Sequence, residues 1–215
     1  MRTVRTKVYK FSELSKAAQA KAIEHYRNNE VDTSFIYDEA EKTVNAFHEV
    51  FGTRSGRSSW LDVYTDHIDD NLANLKGLRL RTYIINNFWS SLFKGKYYNY
   101  KSDTKERLQH KRIKSIFYKN LNSWGNYYYS AVTFENSCTL TGWSYDDSLL
   151  QPIYDFLSWK KGPLHTMNFE TLMNDCFDNL KKDIKAEEDS QYEDEQIIER
   201  LENSDDEFTK DGNRF

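Results

Sequence analysis

Two long segments of this sequence repeat apolar residues at intervals of three and four, the spacing of one face of an α-helix. The first stripe consists of Ile36, Ala40, Val44, Phe47 and Phe51. It is followed by Gly52, the residue type that most often ends a helix. The second stripe consists of Phe169, Leu172, Met173, Cys176, Leu180 and Ile184. Because stripes of this length must be covered by other elements, the sequence predicts a core built mainly from helices.

Further helices and a small sheet are expected around this core. Ser12 and Ser15 offer cap oxygens to a first helix, and Pro152 is expected in or near the first turns of a later one. The additional helices are predicted at residues 16–28, 78–92, 106–121, 146–157 and about 197–201. Residues 52–59 are expected to form a loop, and strands are expected near 3–10, 60–65, 127–134 and at the C-terminus. The expected fold is α+β: a predominantly helical single compact domain, residues 1–215, with a small, mostly antiparallel sheet.

Composition limits the class of protein. Thirteen Phe, fifteen Tyr and five Trp supply ample material for a core, and 30% of the residues are charged, as expected of a soluble globular chain. No apolar run approaches the roughly 18 residues of a membrane helix, and the start lacks the apolar segment of a signal peptide. Cys138 and Cys176 are far apart and form no C-x-x-C pattern. We therefore expect free thiols in a reducing cytosol rather than a disulfide or a zinc site.

Charge is sorted along the chain although the net charge is only -4. Residues 76–119 contain twelve Lys and Arg against Asp103 and Glu106, a local charge of about +10. Residues 170–211 contain sixteen Asp and Glu against five Lys and Arg, a local charge of about -11. Long-range fields of this kind steer association whatever the fold beneath them. The asymmetry therefore bears on binding partners rather than on architecture.

Several segments together resemble one protein family. They are residues 8–22 (VYKFSELSKAAQAKA), 38–52 (DEAEKTVNAFHEVFG), 78–88 (LRLRTYIINNF), 137–143 (SCTLTGW) with the following Asp146 and Asp147, and 207–215 (EFTKDGNRF). This combination is similar to a family of uncharacterised bacteriophage and prophage accessory proteins, some of them labelled antitoxins of toxin–antitoxin stability systems. The resemblance implies a phage gene product that acts in the cytoplasm of the bacterial host, where small accessory proteins commonly bind and disable defence machinery. It identifies no catalytic residue.

Enzymatic sites are weakly indicated. Four carboxylates and one imidazole lie within nine residues: Asp62, Asp66, His67, Asp69 and Asp70. Two-metal chemistry would require Asp62, Asp66 and Asp70 on one helix face. The preceding residues favour a strand that enters a capped helix, so helix capping is the preferred interpretation. The sequence contains no G-x-S-x-G and no phosphate-binding glycine loop, and neither cysteine has a His nearby in sequence. We expect no enzyme, no metal and no cofactor, with a metal-dependent enzyme acting on nucleic acid or nucleotides as a remaining alternative.

A basic, aromatic-rich segment at residues 94–119 provides a second alternative. Its cations alternate with Tyr97, Tyr98 and Tyr100, which could stack on bases. The candidate nucleic-acid contacts are Lys94, Lys96, Lys101, Arg107, Lys111, Arg112 and Lys114. The same segment could equally be a solvated surface, or lie against the acidic C-terminal region of its own chain.

The acidic region at residues 187–211 contains the favoured candidate site. Its core is a group of six carboxylates: Glu187, Glu188, Asp189, Glu193, Asp194 and Glu195. Such a group can imitate the phosphates of a nucleic acid and pair with Arg and Lys of a basic groove. Together with the phage origin that the family resemblance implies, this group predicts a non-enzymatic, phage-encoded inhibitor of a host antiviral system. Its expected partner is a host defence protein with a basic surface, such as an RNA-guided nuclease, which would make it anti-CRISPR-like.

Overall fold

The computed structural model describes residues 7–65, 70–92, 139–158 and 166–215. This part of the chain is predominantly helical and contains a small antiparallel sheet, which confirms the predicted fold class. The helices are α1 (Lys16–Asn29), α2 (Ser34–Phe51), α3 (Asp70–Ala73), α4 (Gly77–Leu92), α5 (Tyr145–Ser158), α6 (Phe169–Gln191) and α7 (Asp194–Asn203), and the strands are β1 (Arg54–Ser55) and β2 (Val63–Tyr64). The helix predicted at 106–121 and the strand at 127–134 lie outside the described residues.

The chain divides into two compact units. One comprises Met1–Tyr37 and Ile184–Phe215, and the other comprises Asp38–Asp183. The first unit is therefore assembled from the two ends of the sequence. Whether the chain unfolds as one domain stays a prediction.

The first unit is built on α1 and α7. Ser15 caps α1, because its hydroxyl accepts a hydrogen bond from the Ala18 amide at 3.3 Å. Glycine is required at position 212, where φ is +80° and a Cβ atom would collide with the Ala18 carbonyl. The buried cluster of this unit consists of Phe11, Leu14, Ala18, Ala22, Ile197, Leu201 and Phe208. The small side chains of α1 thus let α7 and the C-terminal segment pack closely against it.

The strand expected near residues 3–10 is not formed within residues 7–10. Among residues 7–10, Tyr9 alone forms backbone hydrogen bonds with another segment, exchanging two of 2.8 and 2.9 Å with Phe208. The extended chain ends there because Phe11–Glu13 turns into a 3-10 helix whose Glu13 carboxylate accepts the Lys10 amide. The C-terminal pairing that the sequence predicts is likewise limited to bridges at Phe208 and Arg214.

The second unit is built on most of α2 and α6 together with α4 and α5. Both predicted stripes are buried, which confirms them as core-facing. Phe47 contacts Phe177 edge to face, with ring centroids 5.6 Å apart, and Phe51 lies 4.5 Å from Phe47 and 4.7 Å from Phe88. Gly52 ends α2 with φ +68°, as its position in the sequence predicts.

A two-stranded hairpin follows α2. Arg54 pairs with Tyr64 and Ser55 with Val63, so the loop expectation for 52–59 is wrong at 54–55, whereas β2 lies inside the strand expected at 60–65. The hairpin closes where the Gly56 amide donates to the Asp62 carbonyl at 2.7 Å. Strands of two residues are too short to show the alternation that identifies a strand in sequence.

Pro152 lies deeper in α5 than the sequence suggested, seven residues after the helix begins at Tyr145. Proline has no amide hydrogen, so the Ser148 carbonyl loses its usual helical partner. Asn179 of α6 takes that place, donating from Nδ2 to the Ser148 carbonyl at 2.6 Å. A side chain of a neighbouring helix thus compensates for the break in the hydrogen-bond ladder.

Candidate protein-binding site

The six carboxylates predicted from the sequence lie where one helix ends and the next begins. Glu187, Glu188 and Asp189 belong to the end of α6, Glu193 is the N-cap residue of α7, and Asp194 and Glu195 open α7. We call these six residues the acidic corner. Two backbone hydrogen bonds shape the turn between the helices: Tyr192 donates to the Asp189 carbonyl at 3.2 Å, and Glu193 donates to the Ser190 carbonyl at 3.1 Å. The structure therefore brings the predicted residues together.

All six carboxylates face solvent at least in part. Glu188 is half-buried and the other five are exposed. Tyr192, the residue inside the turn, is 41% exposed, so an aromatic ring lies among the carboxylates. Tyrosine is enriched at protein-binding surfaces, whose rims are polar.

The two halves of the acidic corner differ in their relation to the helix dipoles. Asp194 and Glu195 lie in the first turn of α7, where the positive end of the dipole stabilises negative charge. Glu187, Glu188 and Asp189 lie at the negative end of α6, whose last turn contains no basic residue. Three like charges at that end oppose helix stability. The helix dipole therefore gives no reason for their presence.

Few of these carboxylates are neutralised within the described residues. Asp194 forms an ion pair with Arg27, whose Nε also donates to the Tyr192 carbonyl at 3.1 Å. Tyr37 donates its hydroxyl to Glu188 at 3.1 Å, and this bond raises the pKa of the Tyr37 phenol. Glu187 accepts from Gln191 at 3.0 Å. In the part of the chain that the structure describes, one of the six acidic side chains is thus paired with a cation, and the other five are not.

The alternative nucleic-acid site lies outside the described residues. Lys94, Lys96, Lys101, Arg107, Lys111, Arg112 and Lys114 all belong to that part of the sequence. Binding of nucleic acid by this segment, and its docking on the chain's own acidic region, both stay predictions.

Two of the aspartates considered for a metal site, Asp62 and Asp70, do not share a helix. Asp62 lies before β2, and its carboxylate binds Lys181 Nζ at 2.9 Å, so it is neither on a helix face with Asp70 nor a helix cap. Asp66, His67 and Asp69 lie outside the described residues, and Asp70 begins α3. Within residues 7–65, 70–92, 139–158 and 166–215, no three His, Cys, Asp or Glu side chains are grouped to hold a metal ion.

The sequence indicated Asp146 only as the start of a helix, but in the structure it also anchors the preceding loop. It is fully buried in the first turn of α5, and its Oδ2 accepts the amides of Leu140, Thr141 and Gly142 at 2.8, 2.7 and 3.0 Å. Its Oδ1 accepts the hydroxyls of Thr43 and Thr141 at 3.1 and 2.7 Å. The signal for this arrangement is the Thr-Leu-Thr-Gly run before an aspartate, since such residues form local hydrogen bonds with backbone amides.

The loop held by Asp146 presents Trp143 to solvent. Its indole is 45% exposed, and its amide donates to the Thr141 hydroxyl at 3.2 Å. The described part of the motif, residues 139–143, therefore presents an exposed tryptophan, and the following Asp146 is its buried anchor.

Among the described residues, no helix combines the length and apolarity needed to cross a membrane. No family model, no curated protein and no solved structure matches this chain.

Proposed function

We propose that this chain is a non-enzymatic inhibitor that binds a basic surface of a partner protein through the acidic corner. The observation that carries the proposal is the group of three carboxylates at the negative end of α6. They oppose the helix dipole, and within the described residues no cation pairs with them. Carboxylates without a cation of their own chain are available to pair with Arg and Lys of a partner protein.

The chemistry of the acidic corner favours a particular class of partner. Exposed carboxylates on two successive helices resemble an array of phosphates, and proteins that bind nucleic acid present Arg and Lys to such arrays. Together with the resemblance to phage accessory proteins, this supports a host defence enzyme that handles nucleic acid, such as an RNA-guided nuclease. The inhibitor would act in the bacterial cytoplasm by occupying the enzyme's basic groove.

Binding to a basic groove makes a kinetic prediction. Replacing the acidic corner by Glu187→Gln, Glu188→Gln, Asp189→Asn, Glu193→Gln, Asp194→Asn and Glu195→Gln should slow association, because long-range attraction acts mainly on the on-rate. The first measurement is capture from host lysate by the wild-type chain, followed by identification of the retained proteins. The second is the association rate of each purified candidate as a function of salt, which should show a flatter salt dependence for the variant.

A matched control separates the acidic corner from net charge. Glu24, Glu41, Glu49, Glu202, Glu207 and Asp211 are six exposed carboxylates elsewhere, and neutralising them changes the net charge by the same amount. The control should keep the wild-type association rate. Equal association rates for both variants would overturn the proposal. Retention of nucleic acid instead of protein would favour the segment 94–119 as the binding site.

A further inference from the structure

His48 lies between two hydroxyl groups of the segment that follows α2. Its Nδ1 is 2.8 Å from the Thr53 hydroxyl, and its Nε2 is 2.9 Å from the Ser55 hydroxyl. The imidazole also stacks on the Phe177 ring, with centroids 5.6 Å apart and planes inclined by 27°. Contacts on both nitrogens and on one face fix the ring, so its position relative to Ser55 is defined.

The three residues differ in exposure in a way that suits a reaction. Thr53 is only 4% exposed, His48 is half-buried, and Ser55 is exposed on the short strand β1. Burial lowers the pKa of His48, so its imidazole is neutral, and therefore able to accept a proton, at neutral pH. A serine hydroxyl within hydrogen-bond distance of a neutral imidazole is the arrangement that activates a nucleophile.

We propose that Ser55 is a nucleophilic serine, with His48 as its general base and Thr53 as a positioning residue, and that it reacts with activated acyl donors. The proposal does not depend on the acidic corner, and it adds a reactive site to the binding function. In the productive tautomer, His48 Nδ1–H donates to the Thr53 hydroxyl and the Nε2 lone pair accepts from Ser55. Thr53 therefore acts through His48 rather than on the acyl donor.

The reaction with p-nitrophenyl acetate illustrates the step. The Ser55 O–H bond breaks and its proton moves to His48 Nε2, while Oγ forms a bond to the carbonyl carbon. The bond from that carbon to the nitrophenyl oxygen breaks, and p-nitrophenolate leaves with the electron pair. The imidazolium then releases its proton to water. The product is acetyl-Ser55, with no oxidant, reductant or further reactant involved.

The backbone around Ser55 sets the class of acyl donor. The next amide, that of Gly56, already donates to the Asp62 carbonyl at 2.7 Å, so it is engaged within the hairpin rather than directed at a developing oxyanion. Oxyanion stabilisation usually provides a large part of the rate of acyl transfer. Ser55 is therefore expected to react with esters whose leaving group is already a good one, and not with amides.

The test measures acetylation of the full chain by p-nitrophenyl acetate. Release of p-nitrophenolate gives the rate, and mass spectrometry of peptides locates the acetyl group. Ser55→Ala should remove the modification, whereas Ser58→Ala, an exposed serine of the same hairpin loop, should leave it unchanged. His48→Gln can bond to both hydroxyls but cannot accept the proton, so the rate should fall by about 100-fold.

Two further measurements distinguish activation from a structural role. The wild-type rate should fall as pH drops below the pKa of His48, and Thr53→Val should move that pH profile while Ser55 stays the modified residue. The charged groups beside Gly56 are Asp62 and its ion-pair partner Lys181, whose Nζ lies 2.9 Å from the Asp62 carboxylate. Acetylation spread over several serines, or an unchanged rate in a folded His48→Gln variant, would overturn the proposal.

Discussion

At the scale of single residues, the most informative positions are buried polar groups that satisfy backbone atoms. Asp146 accepts three amides and two hydroxyls, and Asn179 supplies the hydrogen bond that Pro152 cannot give. The sequence shows that both residue types can form such bonds. It does not show which distant backbone atom is left without a partner, because that depends on which helix packs beside α5.

The pairing of Asn179 with Pro152 can be tested by a double-mutant cycle. Asn179→Leu should lower the free energy of unfolding by about 1–3 kcal/mol, because the Ser148 carbonyl loses its donor. In a Pro152→Ala background, residue 152 has its own amide to donate, so the same substitution should cost clearly less. The measurement is urea unfolding of the four proteins. An equal cost of Asn179→Leu in both backgrounds would mean that Asn179 does not compensate for the proline.

At the scale of secondary-structure elements, the sequence predicted the helices better than the sheet. α2 and α6 repeat buried residues over many turns, so their periodicity identifies them, and Ser15 and Gly52 mark boundaries that the structure confirms. β1 and β2 contain two residues each and depend on pairing with each other. The acidic corner was predicted as a run of charges. That this run spans the negative dipole end of α6 and the positive dipole end of α7 could not be predicted before the helix ends were known.

These two dipole ends of opposite sign predict opposite effects of charge on stability within the acidic corner. Changing Glu187, Glu188 and Asp189 to their amides should raise the free energy of unfolding at low salt, by roughly 0.3 kcal/mol per residue, and the melting temperature slightly with it. Changing Glu193, Asp194 and Glu195 should lower it, since these charges favour α7 and Asp194 pairs with Arg27. Thermal unfolding of the two triple variants at low and high salt measures both effects, and high salt should reduce them. A marked loss of stability in the first variant would give its carboxylates a structural role and weaken the proposed function.

At the scale of the whole molecule, the two ends of the sequence form one unit and residues 38–183 form the other. The first unit buries Leu201 of α7 in the cluster that contains Ala18 and Ala22 of α1. These helices are far apart in sequence, so their association must close a long loop. The entropic cost of closing that loop is smaller when the intervening chain is already folded. Folding of the second unit should therefore favour folding of the first.

This coupling predicts one cooperative unfolding transition. Leu201→Ala in the first unit and Leu180→Ala in the second each remove a buried side chain, and each should cost about 2–5 kcal/mol. If the units unfold together, both substitutions lower the midpoint of the same transition, and calorimetric and van't Hoff enthalpies agree in all three proteins. Exposed Leu78→Ala is the control and should shift the midpoint much less. Two transitions, with Leu201→Ala moving one and Leu180→Ala moving the other, would show that the single compact domain expected from the sequence is two domains.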